Sequence, residues 1–328
     1  MNRVTYTRRA VIGGMALSLG ASFARVAFSM DYGPKLSQRL GIQLYMLQQE
    51  LASDLSGTLS AVAAIGYREV EVAGLHGRAP SDFRAELDRA GLICSSCHIG
   101  LESMPGQVSL ADPSAAVAQL KTLGATHVVV PMFPFMKALS RRPNGMALLS
   151  DLRNLASTIS EIAHGMSSED WIDVARQLND TGALLAREGI RLGYHNHNLE
   201  FVTFAHAQTA FDVLMAHTDP KLVDFEIDVG WVLAAGQDPV DLLKRYRDRI
   251  TQIHLKDLKA DHPNTALQLT TANVGLGSQA WGPLIEAIGH SSIQHAYVEQ
   301  EPPFADSPLQ AAAAAYKFLK PMMTRVGN

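Results

Sequence analysis

The stretch VDFEIDVGWVLAAGQDPVDLLKRYRDRITQIHLKDL, residues 223–258, contains one complete structural unit. Short runs rich in β-branched and apolar residues at 223–229 and 251–256 predict two strands, and the amphipathic segment 239–247 predicts a helix between them. Asp238-Pro239 is a typical helix start, because a capping residue precedes a proline in the first turn. A unit of this kind places its two strands parallel in one sheet.

The same alternation of strands and helices runs through residues 36–325. Eight strands are predicted, at 41–47, 69–73, 93–99, 127–131, 191–197, 223–229, 251–256 and 295–300. The helices between and after them are predicted at 55–64, 81–90, 114–123, 169–187, 207–217, 239–247, 281–288 and 309–319. Eight units favour a single-domain (β/α)8 TIM barrel over an open sheet. The irregular segment 133–165 is expected to overhang the active face as a lid.

The first thirty residues differ from the rest of the 328-residue chain. Arg8-Arg9 precede an apolar run of small residues, and no acidic residue occurs before Asp31. This pattern predicts a twin-arginine-type signal segment at 1–30 and a periplasmic or otherwise exported protein. The apolar run is interrupted by glycine and serine and ends at Arg25, so it is shorter than a membrane span. We therefore expect no stable transmembrane helix.

The charge and the cysteines narrow the classes of function. With 28 basic and 32 acidic residues, the formal net charge is -4, and the chain lacks the basic surplus that nucleic-acid binding requires.

The only cysteines, Cys94 and Cys97, form a C-x-x-C pair inside a predicted strand. Side chains three residues apart on a regular strand point to opposite faces, which argues against a disulfide or a redox pair.

Imidazole and carboxylate groups occur at the ends of the last four predicted strands. In a barrel of this type, functional side chains project from the carboxyl ends of the strands. Those ends carry His195, Asp228, His254 and Glu299. Buried acids and histidines that converge are stabilised by a divalent cation, and this mixed set suits Mn2+, Zn2+, Co2+ or Fe2+ better than Ca2+. The sequence therefore predicts one divalent metal ion, with Mn2+ as the first choice.

Several motifs point to a known family. They are residues 40–45 (LGIQLY), 194–201 (YHNHNLEF), 228–231 (DVGW), 253–257 (IHLKD), 275–277 (GLG) and 298–301 (VEQE). Together they resemble the sugar phosphate isomerase/epimerase superfamily, the xylose isomerase-like barrels that include tagatose epimerases and inosose dehydratases. The resemblance implies a metal held by one residue from each of strands five to eight, which are the four residues named above. Many epimerases of the family carry glutamate at the strand-five position. This chain has His195 there, and His197 or Glu200 could take the role instead.

Other residues at the predicted rim are candidates for substrate binding. Glu71 and His98 end strands two and three, at positions that resemble substrate contacts of the family, although a solvated rim charge explains them equally well. Lys256 lies on the same strand face as His254 and resembles the family's substrate-binding lysine. Trp231 could stack on a sugar ring or pack in the core.

The resulting hypothesis is a metal-dependent isomerase or epimerase that acts on a small keto-sugar. Glu299 would remove a proton to form an enediolate, and His195 or His197 would return it. A lyase that eliminates from a keto-glycoside or an inosose is a close alternative, because export favours a free sugar over a phosphorylated one. A phosphoester hydrolase and a non-catalytic sugar-binding protein are further alternatives. The sequence leaves the exact substrate and a homo-oligomeric state open.

Overall fold

The computed structural model describes residues 40–104, 106–204, 208–260, 267 and 269–326. The predicted signal segment at 1–30 lies outside these residues. Within the described ranges, no helix combines the length and the apolar character needed to cross a bilayer.

Eight parallel strands close into a barrel. They are β1 (Gly41–Gln43), β2 (Glu69–Val72), β3 (Ile93–His98), β4 (His127–Val130), β5 (Arg191–His195), β6 (Val223–Asp228), β7 (Ile250–Leu255) and β10 (His295–Val298). A separate antiparallel hairpin consists of β8 (Asp257–Leu258) and β9 (Thr271–Ala272). Around the barrel the order is β1-β10-β7-β6-β5-β4-β3-β2, and the first and last strands pair to close it. The predicted closed, parallel, eight-stranded barrel is confirmed.

Helices surround the barrel and follow its strands in the chain. They are α1 (Gln48–Ser53), α2 (Leu55–Ile65), α3 (Pro80–Ala90), α4 (Pro113–Leu123), α5 (Met136–Ser140), α6 (Leu152–His164), α7 (Ser168–Ala186), α8 (Ala210–His217), α9 (Val229–Ala234), α10 (Pro239–Tyr246), α11 (Trp281–Gly289) and α12 (Pro308–Val326). As expected from the sequence, Asp238 caps α10, since its carboxylate accepts a hydrogen bond from the Val240 amide at 2.8 Å.

Two loops differ from simple strand-to-helix connections. The predicted first strand is too long, because it ends at Gln43 and Leu44–Leu47 forms a 3-10 helix. The Gln43 side chain accepts a hydrogen bond from the Tyr45 amide at 3.1 Å and so turns the chain away from the barrel wall. The predicted lid segment contains α5, the 3-10 helix Gly145–Ser150 and α6. Its function as a lid stays a prediction.

Alternation along the strands separates an apolar exterior from a polar barrel interior. On β6, Phe225 packs against Phe211 of α8, with ring centroids 5.5 Å apart. Because side chains alternate along a strand, Glu226 and Asp228 point the other way, into the barrel. The apolar core therefore lies between strands and helices, while the interior of β6 carries carboxylates.

A register shift between β2 and β3 corrects the expectation for the two cysteines. Val70 pairs with Cys94, whereas Glu71 pairs with Ser96, so β3 contains an extra residue at this point. The bulge interrupts the alternation of side chains, and the sulfur atoms of Cys94 and Cys97 lie 3.6 Å apart. The expectation that they point to opposite faces is wrong, although both are buried free thiols.

Candidate metal centre

Acidic and imidazole side chains gather inside the barrel at the carboxyl ends of its strands. Most are fully buried, and only the His98 side chain keeps appreciable exposure, at 12%. The set consists of Glu71 on β2, His98 on β3, His195 on β5, Glu226 and Asp228 on β6, His254 on β7 and Glu299 just after β10.

The four predicted metal ligands, which we call the ion centre, lie close together. His254 Nδ1 is 2.9 Å from Glu299 Oε2 and 3.8 Å from Asp228 Oδ2. His195 Nε2 is 4.0 Å from Asp228 Oδ2. Metal–donor distances of about 2.0–2.2 Å place donors of one ion roughly 3–4 Å apart. The donor atoms of Asp228, His254 and Glu299 are therefore spaced to share a divalent cation. His195 lies beside this group, next to Asp228, but is not a member of it.

Burial and neighbouring charges set the ionisation of the ion centre. Burial opposes the charged form of Asp228 and Glu299, but Lys256, His254 and His195 together outweigh it and lower the pKa of both carboxyls. Burial also opposes protonation of His254, yet Glu226 and Glu299 raise the pKa of its imidazole well above the usual value. Burial lowers the pKa of His195. In the metal-free protein Asp228 and Glu299 are therefore ionised. The imidazole of His195 is neutral, and that of His254 is protonated.

Glu226 is a site residue that the sequence reasoning missed. Its Oε2 atom lies 2.9 Å from His98 Nε2, 2.9 Å from His195 Nδ1 and 3.1 Å from His254 Nε2. These three imidazoles and Glu226 also form a group whose atoms could hold a metal. The sequence does contain one indication of its role. Glu226 lies two residues before Asp228, so both carboxylates are on the same strand face.

Glu71 lies beneath the ion centre rather than at a solvated rim. Its side chain is fully buried and accepts hydrogen bonds from Gln43 Nε2 at 2.8 Å and Ser96 Oγ at 2.6 Å. Glu71 Oε2 also lies 2.7 Å from His254 Nε2. The solvated-charge alternative is therefore wrong for Glu71, which contacts a predicted ligand directly.

Lys256 lies among three carboxylates at the ion centre. Its Nζ atom is 2.6 Å from Asp228 Oδ2, 2.9 Å from Glu299 Oε2 and 2.7 Å from Glu301 Oε1. Glu301 was not singled out from the sequence, although it alternates with Glu299 on the segment after β10. Room for the lysine stem depends on Gly230, since a Cβ atom there would lie 2.6 Å from Lys256 Cδ.

The three strand-five candidates have different environments. Both oxygens of Glu200 are engaged, because Tyr194 Oη donates to Oε1 at 2.7 Å and the His197 amide donates to Oε2 at 2.8 Å. Burial raises the pKa of Glu200 to about 7. His197 packs between His195 and Trp231, with ring centroids 5.1 and 4.9 Å away. Of the three, His195 approaches Asp228 most directly.

The hairpin after β7 is anchored by Asp257. Its carboxylate accepts hydrogen bonds from the amides of Gly275, Gly277 and Gln279 and from the indole of Trp281, at 2.9–3.1 Å. A cavity of about 490 Å³ lies beside this hairpin, and its lining includes none of the ion-centre residues. Asp257 therefore has a structural role at the start of this hairpin.

Comparison with known proteins points to one family. The model of the xylose isomerase-like TIM barrel family matches residues 59–322. Inosose dehydratase from Geobacillus kaustophilus (strain HTA426) is 30% identical over 203 residues, which cover 62% of this chain and 62% of that relative. The chain therefore aligns with less than two thirds of the length of this relative.

Solved structures share the architecture. A sugar phosphate isomerase/epimerase from Parabacteroides distasonis ATCC 8503 superposes with a TM-score of 0.66 and 21% identity, over 90% of this chain and 97% of its own. The IOLI protein, whose crystal structure contains a zinc atom, superposes with a TM-score of 0.62 and 13% identity, over 88% and 98% of the two chains. At these identities the likeness shows a common fold.

Proposed function

Because this chain belongs to the xylose isomerase-like TIM barrel family, we propose that it is a sugar-processing enzyme that uses one divalent metal ion to move protons on a keto-sugar. The first candidate reaction is isomerisation or epimerisation, and the second is elimination by a lyase. The observation that carries the proposal is the convergence of His195, Asp228, His254 and Glu299 within the barrel.

Two further observations support a metal ion. His195 and His254 each face Asp228 with one ring nitrogen and a buried carboxylate with the other, as metal-ligating histidines commonly do. The IOLI protein, which has the same fold, holds a zinc atom. We propose Mn2+ as the first choice here, with Zn2+, Co2+ or Fe2+ as alternatives, because mixed imidazole and carboxylate ligands suit these ions.

We assign separate roles in the reaction to the metal ion and to the residues around it. When bound, the ion would polarise the carbonyl and the adjacent hydroxyl of the substrate and so stabilise an enediolate. Glu299 would take the proton from the substrate carbon. Although burial opposes its charge, Lys256 and His254 hold the pKa of Glu299 well below the usual range, so its carboxylate is ionised and able to accept.

His197 is the better candidate for the second proton transfer. Its buried Nδ1 atom has no hydrogen-bond partner within the described ranges. Burial, together with the charges of His195 and Lys256, holds the pKa of the ring well below its usual value, so the imidazole is neutral at pH 7. The proton that Glu299 removes would pass to the neutral ring of His197 through a substrate oxygen, and His197 would deliver that same proton to another carbon or to a leaving oxygen. His195, with Nδ1 held by Glu226, would serve as a ligand.

Four residues are proposed to bind the substrate. Lys256 would place its ammonium against a developing oxyanion, and Trp231 would contact the sugar ring beside His197. His98, the one partly exposed member of the set, would meet the substrate from β3. Glu71 would act indirectly, because its carboxylate contacts the ring of His254.

The lyase candidate rests on specific similarity. The curated relative described above is an inosose dehydratase, and removal of a proton beside a carbonyl is the first step of both isomerisation and elimination. The proposed export signal at 1–30 favours a free keto-glycoside or an inosose over a sugar phosphate. The two reactions would then differ in the next step. Return of the proton to a carbon gives an isomer, and departure of a leaving group gives an elimination product.

The test is solvent exchange on a panel of 3-keto-glucosides and ketohexoses in deuterated water. Metal-loaded protein is expected to place deuterium on a sugar carbon, measured by NMR and mass spectrometry. A conjugated ketone that absorbs in the ultraviolet, with release of water or an alcohol, would identify elimination. Exchange should vanish after chelation of the metal and in Glu299→Gln.

The control is Glu188→Gln, which changes an exposed glutamate paired with Lys121 and should exchange like the wild type. Wild-type exchange in Glu299→Gln would contradict the role of this carboxylate. A protein that carries about one metal ion per chain but exchanges no substrate in the panel would argue against the enzyme proposal. Sugar binding without metal would favour a binding protein.

A further inference from the structure

We propose that Glu226 is a positioning residue that selects, through one carboxylate oxygen, which nitrogen of His195 faces the ion centre. The inference rests on the proposed metal-dependent function. It concerns a residue that is not itself one of the four ligands.

The geometry around Glu226 is that of one acceptor serving several donors. Oε2 lies within hydrogen-bond distance of His98 Nε2, His195 Nδ1 and His254 Nε2, at 2.9, 2.9 and 3.1 Å. The other oxygen, Oε1, accepts a hydrogen bond from Gln252 Nε2 at 3.3 Å. Glu226 is fully buried, so these side chains replace water as hydrogen-bond partners of its carboxylate.

An ionised carboxylate only accepts hydrogen bonds, and this decides the tautomer of a neutral imidazole beside it, here His195. The nitrogen of His195 that faces Glu226 is Nδ1, so Nδ1 carries the ring proton. Nε2 then presents its lone pair toward Asp228 Oδ2, 4.0 Å away. His254 differs, because its Nε2 atom lies nearer to Glu71, at 2.7 Å, than to Glu226, at 3.1 Å. The role proposed for Glu226 therefore concerns His195.

The backbone supports this placement. The pairing of β6 with β7 shifts register between Phe225 and Glu226, so that Glu226 pairs with Gln252. The extra residue is Thr251 on β7, and the bulge there brings Gln252 opposite Glu226. Glu71, the second carboxylate in contact with His254 Nε2, also follows a register shift, between β2 and β3. Both inner carboxylates therefore lie opposite a bulge in the neighbouring strand.

The test compares Glu226→Gln with Glu301→Gln. Each change replaces one carboxylate of the same site with an amide of similar size. Glu301 is partly exposed, and its hydrogen bond goes to Lys256 and not to a ring nitrogen. The first measurement is 15N NMR of metal-free protein labelled at its 12 histidines, with His195 assigned from the signals lost in His195→Gln. The second is Mn2+ affinity by competition with a chelator.

We expect the Nδ1–H tautomer at His195 in the wild type and in Glu301→Gln. In Glu226→Gln this tautomer should be lost or mixed, and Mn2+ affinity should fall about 10–100-fold, the usual effect of losing a carboxylate that orients a metal-bound histidine. The inference is overturned if the wild type itself shows Nε2–H at His195, a measurement that needs no variant to fold. An unchanged tautomer and affinity in a folded Glu226→Gln protein would also overturn it.

These outcomes are separable from failure of the proposed function. Loss of solvent exchange in every variant and in the wild type would reject the enzyme proposal, while the NMR result on metal-free protein would still judge the role of Glu226.

Discussion

Replacing Lys256 with methionine removes an ammonium that contacts three carboxylates, two of which belong to the ion centre. Its Nζ atom lies 2.6–2.9 Å from oxygens of Asp228, Glu299 and Glu301, and the side chain is fully buried. Methionine keeps much of the stem that packs over Gly230 but leaves these carboxylates without their cation. We therefore expect Lys256→Met to destabilise the metal-free protein.

The size of the effect follows from the burial of the group. Removing one partner of a buried ion pair costs about 3–5 kcal/mol. For a barrel of roughly 290 residues, an unfolding entropy of about 2.1 cal/mol/K per residue corresponds to ~0.6 kcal/mol/K. The expected fall in Tm is therefore about 5–8 °C, since the free-energy loss is divided by this entropy.

Metal binding should reduce this loss. A divalent cation shared by Asp228 and Glu299 supplies the positive charge that the variant lacks, so the fall in Tm should be smaller in saturating Mn2+ than in EDTA. By thermodynamic reciprocity, Lys256→Met should bind Mn2+ more tightly than the wild type, and a coupling of about 1–3 kcal/mol corresponds to roughly 5–150-fold.

The assay is differential scanning calorimetry of both proteins in EDTA and in Mn2+, together with Mn2+ titrations. The matched control is Lys259→Met, three residues along the chain, where the lysine is exposed and the change should stay within about 0.5 kcal/mol. Equal losses of Tm with and without metal would refute the idea that lysine and metal share carboxylates. A wild-type Tm for Lys256→Met in EDTA would refute the charge argument itself.

Three further changes test separate parts of the site. Asp228→Asn should abolish stoichiometric Mn2+ binding, measured by elemental analysis, while circular dichroism stays unchanged; retained metal would remove Asp228 from the ligand set. Because burial raises the pKa of Glu200 from 4.5 to about 7, its stabilising contribution is full below about pH 4.5 and is lost as pH rises through about 7. Glu200→Gln should therefore flatten the fall in unfolding free energy across this window in urea titrations, and an unchanged slope would contradict the assignment. Gly230→Ala should cost about 1–3 kcal/mol in the same assay, since its Cβ atom would press on Lys256, and wild-type stability would show that the stem moves freely.

Much of the barrel was predictable because its signals are local. The runs at 223–229 and 251–256 and the helix start at Asp238-Pro239 each act within a few residues, and the structure places β6, β7 and α10 there. The convergence of Asp228, His254 and Glu299 was also predictable, because the carboxyl ends of parallel strands meet at one end of a barrel.

The missed features depend on contacts between distant parts of the chain. Glu226 meets His98 across 128 residues, and Glu71 meets His254 across 183. No periodic pattern in the sequence marks such pairs. The bulge that brings Cys94 and Cys97 together is likewise invisible to an argument that assumes regular alternation.

The sequence by itself determined the (β/α)8 order, the strand ends that carry acids and histidines, and the residue types suited to a divalent ion. Hydrophobic periodicity and capping are properties of neighbouring residues, so they can be read along the chain. Only the tertiary structure decided that Glu226 contacts three imidazoles, that Glu200 is engaged by Tyr194, and that Lys256 lies among three carboxylates. These relations arise when the closed barrel buries charges from separate strands in a common space, where each charge must find a partner that the sequence order does not specify.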